Sequence, residues 1–263
     1  MDFKSLIRPY FRDHAYVGRS LIFFKEIHST NLFLLENNDL LEIKGLVVHA
    51  QRQTKGIGRK GRTWEYGIGK HLFCSFVIHH DAKIVKNVSS YPLLIGLAVY
   101  NSLIKLNCKN ISLKWPNDVL INRKKVSGIL CQGKPITNKN HVIIAGIGVN
   151  ISGNSTQFSN ILRHKATTLE EQGIKTNPEY LLDEITKELE SIFKQINFKG
   201  IKSILKKWEN ASNSIGCKIK FFANGKELSG EIIGLDEIGR LKVLNLENSK
   251  CYKIESGEIE FNY

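Results

Sequence analysis

Gln53-Thr54-Lys55-Gly56-Ile57-Gly58-Arg59-Lys60-Gly61-Arg62-Thr63-Trp64 joins two strand-like segments, GLVVHA at 45–50 and LFCSFVIH at 72–79. The glycines run GxGxxG from Gly56 to Gly61, but no helix is predicted after them, so the stretch is not the strand–loop–helix turn of a doubly wound dinucleotide fold. Nor is it a Walker A loop, because the closing GK[ST] is missing. A strand, a glycine-rich loop and another strand point away from strict βαβ alternation and towards an α+β fold. Chemically, the glycines let backbone N–H groups approach a ligand closely. Arg59 and Arg62 can hold phosphate oxygens in bidentate pairs, and Trp64 offers a flat apolar face. The composition alone fits either a mobile basic loop or a cradle for an enclosed anion.

Working outward, RSLIFFKEI (19–27) reads as a strand, and Ser29 or Thr30 can cap a short helix over LFLLEN. A helix is predicted from Pro92 through LLIGLAVYNSLIKL, with the proline near its first turn. ISLKW (111–115) is a strand, Pro116-Asn117-Asp118 a turn, and VLIN with KVSGILCQ (125–132) a hairpin about Asn122-Arg123-Lys124. HVIIAGIGVNI (141–151) is a further, central strand. Asn177-Pro178 is an N-cap and N1 pair for the helix EYLLDEITKELESIFKQI, and a second helix is expected over 199–209, ending near Trp208. From Ser214 onward only short strands appear, CKIKFF, ELSGEIIGLD, GRLKVLNL and CYKIESGEIEF, with turns at Asn224-Gly225 and Glu237–Gly239. The expectation is a mixed β-sheet flanked by helices over residues 1–212, followed by a small five-stranded barrel over 213–263.

The chain has 263 residues, 42% hydrophobic and 24% charged, which suits a globular protein of one large domain with a small satellite. No apolar run is long enough to span a bilayer, and the N-terminus lacks a signal-peptide core, so a cytoplasmic protein is expected. The five cysteines, Cys74, Cys108, Cys131, Cys217 and Cys251, are scattered and form no CxxC pair, which argues against a disulfide framework or a zinc site. Cys74 and Cys131 read as small buried residues. The net charge of +13 favours anionic partners, although lysine runs through the whole sequence.

A second segment, Lys114-Trp115-Pro116-Asn117-Asp118, is followed by Lys125-Val126-Ser127-Gly128-Ile129-Leu130. Asn117-Asp118 after a proline is turn chemistry. Lys125 opens an apolar strand, where it is either an edge charge or a cation directed into a site. Gly128 in mid-strand is unfavourable unless something approaches closely.

Taken together, these segments resemble the biotin–protein ligases. That family carries a Ser-Thr-Asn turn, a Gln ahead of Gly-Arg-Gly-Arg-x-Gly-Arg-x-Trp, then Lys-Trp-Pro-Asn-Asp, Lys-x-x-Gly-Ile-Leu, Gly-x-Gly-x-Asn and Ala-Thr-Ser-Leu. Here they match Ser29–Asn31, Gln53–Trp64, Lys114–Asp118, Lys125–Leu130, Gly146–Asn150 and Ala166–Leu169. The resemblance runs from about residue 20 to the C-terminal strands, which look like the family's SH3-like domain, and it implies a class II synthetase-like catalytic domain. It implies that ATP activates biotin to biotinyl-5′-AMP, and that the biotinyl group then passes to a lysine of the biotin carboxyl carrier domain of a biotin-dependent carboxylase.

In that reading Ser29, Thr30 and Gln53 hydrogen-bond the ureido ring of biotin, and Asn31, Gly56, Ile57, Gly58, Arg59, Lys125 and Gly128 complete the biotin site. Arg59, Arg62, Trp64, Asn117, Lys125 and Asn150 face the nucleotide. Lys125, Arg59 and Asp118 carry the chemistry, Mg²⁺ is expected with the ATP, and its ligands are not assigned.

Three positions depart from the family. Ile57 replaces the first Arg of the loop, Trp64-Glu65-Tyr66-Gly67 replaces Trp-x-Ser-Pro, and too few residues precede the first core strand for the helix-turn-helix of larger members, so no DNA binding is expected. An exposed sheet edge suits a homodimer or the carrier. Two rivals are a lipoate or octanoate ligase or transferase of related fold, which lacks a reason for Gln53, and a basic nucleic-acid-binding module, which lacks a reason for the whole motif set.

Overall fold

Side chains of residues 141–149 alternate between two faces. Ile143, Ala145 and Ile147 enter one core, Val142 and Ile144 enter another, and by the same period Gly146 and Gly148 share the face of Val142. This strand lies in the middle of the larger of two sheets in the computed structural model, which describes residues 3–81, 85, 87–136, 141–223, 225–255 and 260–261. The larger sheet comprises β1 (Arg8–Pro9), β2 (Ser20–Ile27), β3 (Leu46–Gln53), β4 (Leu72–His79), β5 (Ile111–Lys114), β6 (Asp118–Ile121), β7 (Lys124–Pro135) and β8 (His141–Val149), in the order β1-β2-β3-β4-β8-β7-β6-β5. β2 and β3 are parallel and every other pair is antiparallel. The mixed sheet expected from the sequence is present, with β8 central.

The parallel pair is connected by α1 (Thr30–Glu36) and α2 (Asn38–Leu41). Of the two candidate caps Ser29 is the one used, its side chain accepting from Leu32 N at 3.5 Å. The β6–β7 hairpin turns on Asn122 (φ +48°) and Arg123 (φ +65°), a two-residue turn that matches the twist of the strands; Lys124 already belongs to β7. The glycine loop contributes one short 3-10 turn, Arg59–Gly61, and no helix.

The opposite face of the sheet is covered by α3 (Tyr91–Lys105), α4 (Pro178–Lys199) and α5 (Lys202–Ser212). Asn177 caps α4 by accepting from Tyr180 N at 2.8 Å, and Gly200, at φ +74°, ends it. Because that glycine breaks the chain, the second helix begins at Lys202 rather than 199. It continues past Trp208, which is buried in mid-helix, to Ser212. Phe76, Leu94, Ile147, Leu189 and Trp208 belong to the core beneath these helices, and each such large apolar side chain contributes about 2–3 kcal/mol by leaving water. A smaller core of Ile22, Phe33, Leu34, Val48, Val77 and Ile144 lies under α1 and α2.

The C-terminal strands are β9 (Lys218–Ala223), β10 (Lys226–Leu235), β11 (Leu241–Asn245), β12 (Cys251–Ile254) and β13 (Glu260–Phe261). They form an antiparallel sheet in the order β12-β11-β10-β9-β13. Asn224 and residues 256–259, in the expected turn and last strand, lie outside the described residues. Ile219, Phe221, Ile232 and Leu241 continue the larger core, and Trp115 Nε1 donates to Gly239 O at 3.3 Å, so this sheet abuts the strand that leads into Pro116. All five cysteines are free. Cys74 is buried as expected, whereas Cys131 is half-buried as a residue; its thiol is enclosed, and burial pushes it above the ordinary thiol range.

Candidate active site

The α1 face of the sheet is covered only as far as Ile144. Beyond it β8 presents Gly146 and Gly148, and β7 presents Gly128, so a floor without side chains opens between α1 and the glycine loop. A methyl group on Gly148 would come within 2.7 Å of the Trp64 indole, and one on Gly128 within 2.7 Å of Trp64 and 2.9 Å of Lys125 Nζ. Close approach is therefore the reason for both mid-strand glycines. The floor belongs to a cleft of about 710 Å³.

One end of the cleft is neutral and polar. Ser29, Thr30, Asn31 and Gln53 line it and are nearly inaccessible, between 1% and 8% exposed. Gln53, the last residue of β3, accepts through Oε1 from Thr30 N at 2.7 Å. Its Nε2 is therefore turned away from that backbone donor. Asn31 donates from Nδ2 to Leu130 O (3.3 Å) and Gln132 Oε1 (2.8 Å), while Ser75 Oγ lies 2.6 Å from Asn31 Oδ1 and 2.7 Å from Thr30 Oγ1.

The wall beside it is the glycine loop, folded as a tight hairpin. Trp64 N donates to Gly56 O (2.9 Å), Gly58 N to Arg62 O (2.7 Å), and Ile57 bridges Thr63. Lys60 (φ +57°) and Gly61 (φ +72°) turn the chain at its tip. The amides of Thr54, Lys55, Gly58, Arg62 and Trp64 thus pair with backbone carbonyls, so fewer N–H groups point outward than a run of glycines suggested. Gly56 stands behind the wall, where a Cβ would sit 3.3 Å from Gln53 Nε2 and from Trp64. Downstream, where the family pattern is broken, Tyr66 Oη donates to Gln53 O at 2.6 Å and ties the loop back to β3.

The other end is charged. Arg59 Nη1 donates to Asn117 Oδ1 at 3.0 Å, and Asn117 Nδ2 to Ile129 O at 2.8 Å, which fixes the turn after Pro116 against β7. Lys125 Nζ pairs with Asp118 Oδ1 at 2.6 Å and lies 5.3 Å from the Trp64 ring centre. The backbone of Lys125 is held on both sides, its N–H to Lys165 O (2.8 Å) and its C=O from Thr167 N (2.9 Å), so residues 165–167 clamp the lysine's strand. Asn150 completes the glycine face of β8: its Nδ2 donates to Thr167 O at 3.2 Å, and its buried Oδ1 has no partner among the described residues. Lys114, Arg123 and Arg62 also border the cleft. Among the described residues no group of three or more His, Cys, Asp or Glu side chains gathers.

The residues singled out in the sequence therefore converge on one cleft, with Gly56 just outside its lining. Sequence reasoning missed Ser75 and Gln132. Each was visible only as a polar residue at the α1-face register of an apolar strand. It also missed His71, whose ring sits between Gly67 O (2.9 Å) and Ile151 N (3.3 Å) and fastens the loop's return to the end of β8. The whole is an elongated pocket with a hydrogen-bonding head, a flat apolar middle and a cationic tail. It can accept a ligand with a polar ring, an aliphatic arm and an anionic end.

Residues 23–150 match the Biotin/lipoate A/B protein ligase family. The chain is 30% identical to the bifunctional ligase/repressor BirA of Bacillus spizizenii over 93% of its own length and 74% of that protein. It is 28% identical to the biotin–[acetyl-CoA-carboxylase] ligase of Paracoccus denitrificans, over 74% of this chain and 82% of that one. Among solved structures, the biotin protein ligase of Aquifex aeolicus in complex with biotin and ATP superposes with a TM-score of 0.75 at 31% identity, covering 92% of this chain and 98% of that one.

Proposed function

Since the chain belongs to the biotin–protein ligases of the biotin/lipoate A/B ligase family, we propose that its cleft binds biotin and ATP, forms biotinyl-5′-AMP, and delivers the biotinyl group to a lysine of a biotin carboxyl carrier domain. The observation that carries this reading is the pairing, within one cleft, of a buried Gln53–Thr30 hydrogen-bonding end with the Arg59, Lys125 and Asp118 end, across a glycine floor.

The ureido ring meets Ser29, Thr30 and Gln53, with Asn31 beside them. Its matched donors and acceptors account for selection against rings that lack them. The aliphatic arm lies over Gly128 and Gly148, and the loop Gly56–Arg59, with Ile57 contributing apolar surface, closes over it. Trp64 covers the arm and screens the anhydride from water. The carboxylate and the α-phosphate meet between Lys125 and Arg59, and Arg62, Asn117 and Asn150 hold the nucleotide side.

A carboxylate oxygen attacks the α-phosphorus, the bond to the β-phosphate oxygen breaks, and pyrophosphate leaves. Lys125 and Arg59 stabilise the negative charge that gathers in that step. The neutral amine of the carrier lysine then attacks the acyl carbon, the acyl–oxygen bond to AMP breaks, and the amine's extra proton is released.

Asp118, with Asn117 beside it, would hold Mg²⁺. One carboxylate is enough when the nucleotide's own phosphates supply the remaining ligands. The cation, when bound, neutralises charge on those phosphates. Residues 1–212 serve as the catalytic domain, of the class II synthetase kind, and 213–263 as an SH3-like barrel; the antiparallel pairing of β9–β13 supports that. No described helix is long and apolar enough to cross a membrane, in keeping with action on a cytoplasmic carrier.

The test is biotin-dependent exchange of labelled pyrophosphate into ATP, followed by transfer of labelled biotin to a purified carrier domain, with lipoate in parallel. Exchange with biotin and none with lipoate is expected; exchange with lipoate alone would overturn the assignment.

A further inference from the structure

Ser75 is fully buried in the middle of β4, beside Gly146 of β8, outside the cleft lining, and one residue from a face that otherwise enters the core. Its hydroxyl is the hub of a continuous chain, Gln132–Asn31–Ser75–Thr30–Gln53, that has a backbone group near each end.

Those backbone groups fix the amide orientations at both ends. Leu130 O accepts only, so the Asn31 atom facing it is Nδ2, and Oδ1 faces Ser75. Thr30 N donates only, so the Gln53 atom facing it is Oε1, and Nε2 faces away. Three oxygen–oxygen contacts remain: 2.6 Å (Ser75 to Asn31), 2.7 Å (Ser75 to Thr30) and 3.2 Å (Thr30 to Gln53). Two hydroxyl protons serve the three. Ser75 Oγ donates to both Asn31 Oδ1 and Thr30 Oγ1, sharing its one proton between them, which leaves Thr30 to donate its own proton to Gln53 Oε1. The Thr30 hydroxyl then offers the cleft only lone pairs, while Gln53 offers it only N–H. Gly146 belongs to the same device, because a Cβ there would overlap the Asn31 amide.

We infer that Ser75, acting through Thr30 and Asn31, is a positioning residue that sets the hydrogen-bond polarity of the cleft's neutral end and makes it complementary to a cyclic urea, whose N–H donates beside a C=O that accepts. Asn31 shares this role, since its amide is fully engaged by the protein. The inference rests on the reading of biotin as substrate and adds the residue that selects its ring.

The experiment is calorimetric titration of biotin, and separately of ATP, into the full chain and its Ser75→Ala, Thr30→Val and double variants, with steady-state kinetics on each. For Ser75→Ala, biotin affinity and KM for biotin weaken about fivefold to tenfold, as for one lost buried hydrogen bond. ATP affinity and kcat at saturating substrates stay within about twofold. Ser75→Thr, which keeps the hydroxyl, recovers most of the loss, and in the Thr30→Val background Ser75→Ala adds less than in the wild type, because the two act as one unit. Should Ser75→Ala fail to fold, Ser75→Cys, with its weak donor, tests the same shift. An unchanged biotin affinity, an equal loss of ATP affinity, or full additivity with Thr30→Val overturns the role of Ser75 alone. A wild-type chain that binds no biotin overturns the substrate reading as well.

Discussion

Lys125 Nζ and Asp118 Oδ1 are 2.6 Å apart across the β6–β7 ladder, in a pair about one-quarter to one-third exposed. The ammonium group is thus held at the cationic end of the cleft by the same carboxylate proposed to meet the metal–nucleotide complex. An exposed pair of this kind adds at most about 1 kcal/mol to stability, so its value lies in orientation.

Replacing Lys125 by alanine removes the charge that opposes the developing phosphate charge. The expected loss in the rate of biotinyl-adenylate formation is about 10²–10³-fold, as for removal of one preorganised electrostatic group, with the melting temperature little changed. Pyrophosphate release in a single turnover measures it. Adenylate formation at the wild-type rate would remove Lys125 from the mechanism.

Gly148→Ala tests the floor. The three atoms nearest the added methyl all belong to the Trp64 indole, the closest at 2.7 Å, and Trp64 is carried on a loop, so the ring moves rather than the strand. KM for biotin is expected to rise at least tenfold while urea unfolding changes by no more than about 1 kcal/mol. The indole becomes more exposed, which a red shift in tryptophan emission reports. A loss of stability matching the loss of activity would mean that the glycine serves the sheet alone.

The sheet, its central strand and the proline-capped helix α4 were legible because period-2 and period-3.6 patterns and Asn177-Pro178 are local signals. The cleft was legible through its motifs, since Ser29–Asn31, Gln53–Trp64 and Lys125–Leu130 each carry a distinctive residue order. The start of α5 was misread because Gly200 interrupts a run whose apolar spacing continues through it. Ser75, Gln132 and His71 stayed hidden for a different reason. Their roles are set by distant partners, Asn31 lying 44 residues from Ser75 and 101 from Gln132, and Ile151 80 from His71, which only the folded register brings near.

Gln53→Glu keeps the shape of the side chain and reverses its offer to the ligand. One carboxylate oxygen can still accept from Thr30 N, but the other then faces the ureido oxygen where Nε2 had donated. Two acceptors now oppose each other in a buried site, so biotin affinity is expected to fall by more than about 100-fold, or roughly 3 kcal/mol, with ATP affinity held. Calorimetry with each ligand measures both. Biotin affinity within a few-fold of wild type would show that Gln53 does not meet the ring.

His71 links the loop to the sheet only while neutral, because Nδ1 must accept from Ile151 N as Nε2 donates to Gly67 O. Burial pushes its pKa below the ordinary histidine value, and the contact with Gly67 O opposes that only in part. The unfolded chain therefore binds the proton more readily than the folded one, and stability rises with pH across the window between the two values. The stabilisation is complete above about pH 6.5, the unfolded value, and is lost progressively as the pH falls below it towards the depressed folded value. His49, also pushed down by burial, acts in the same direction. The melting temperature of the wild type should accordingly fall between pH 7.5 and pH 5.5, and His71→Gln should be less stable at pH 7.5 but show a shallower fall. Equal slopes for the two proteins would show that His71 carries none of the acid sensitivity.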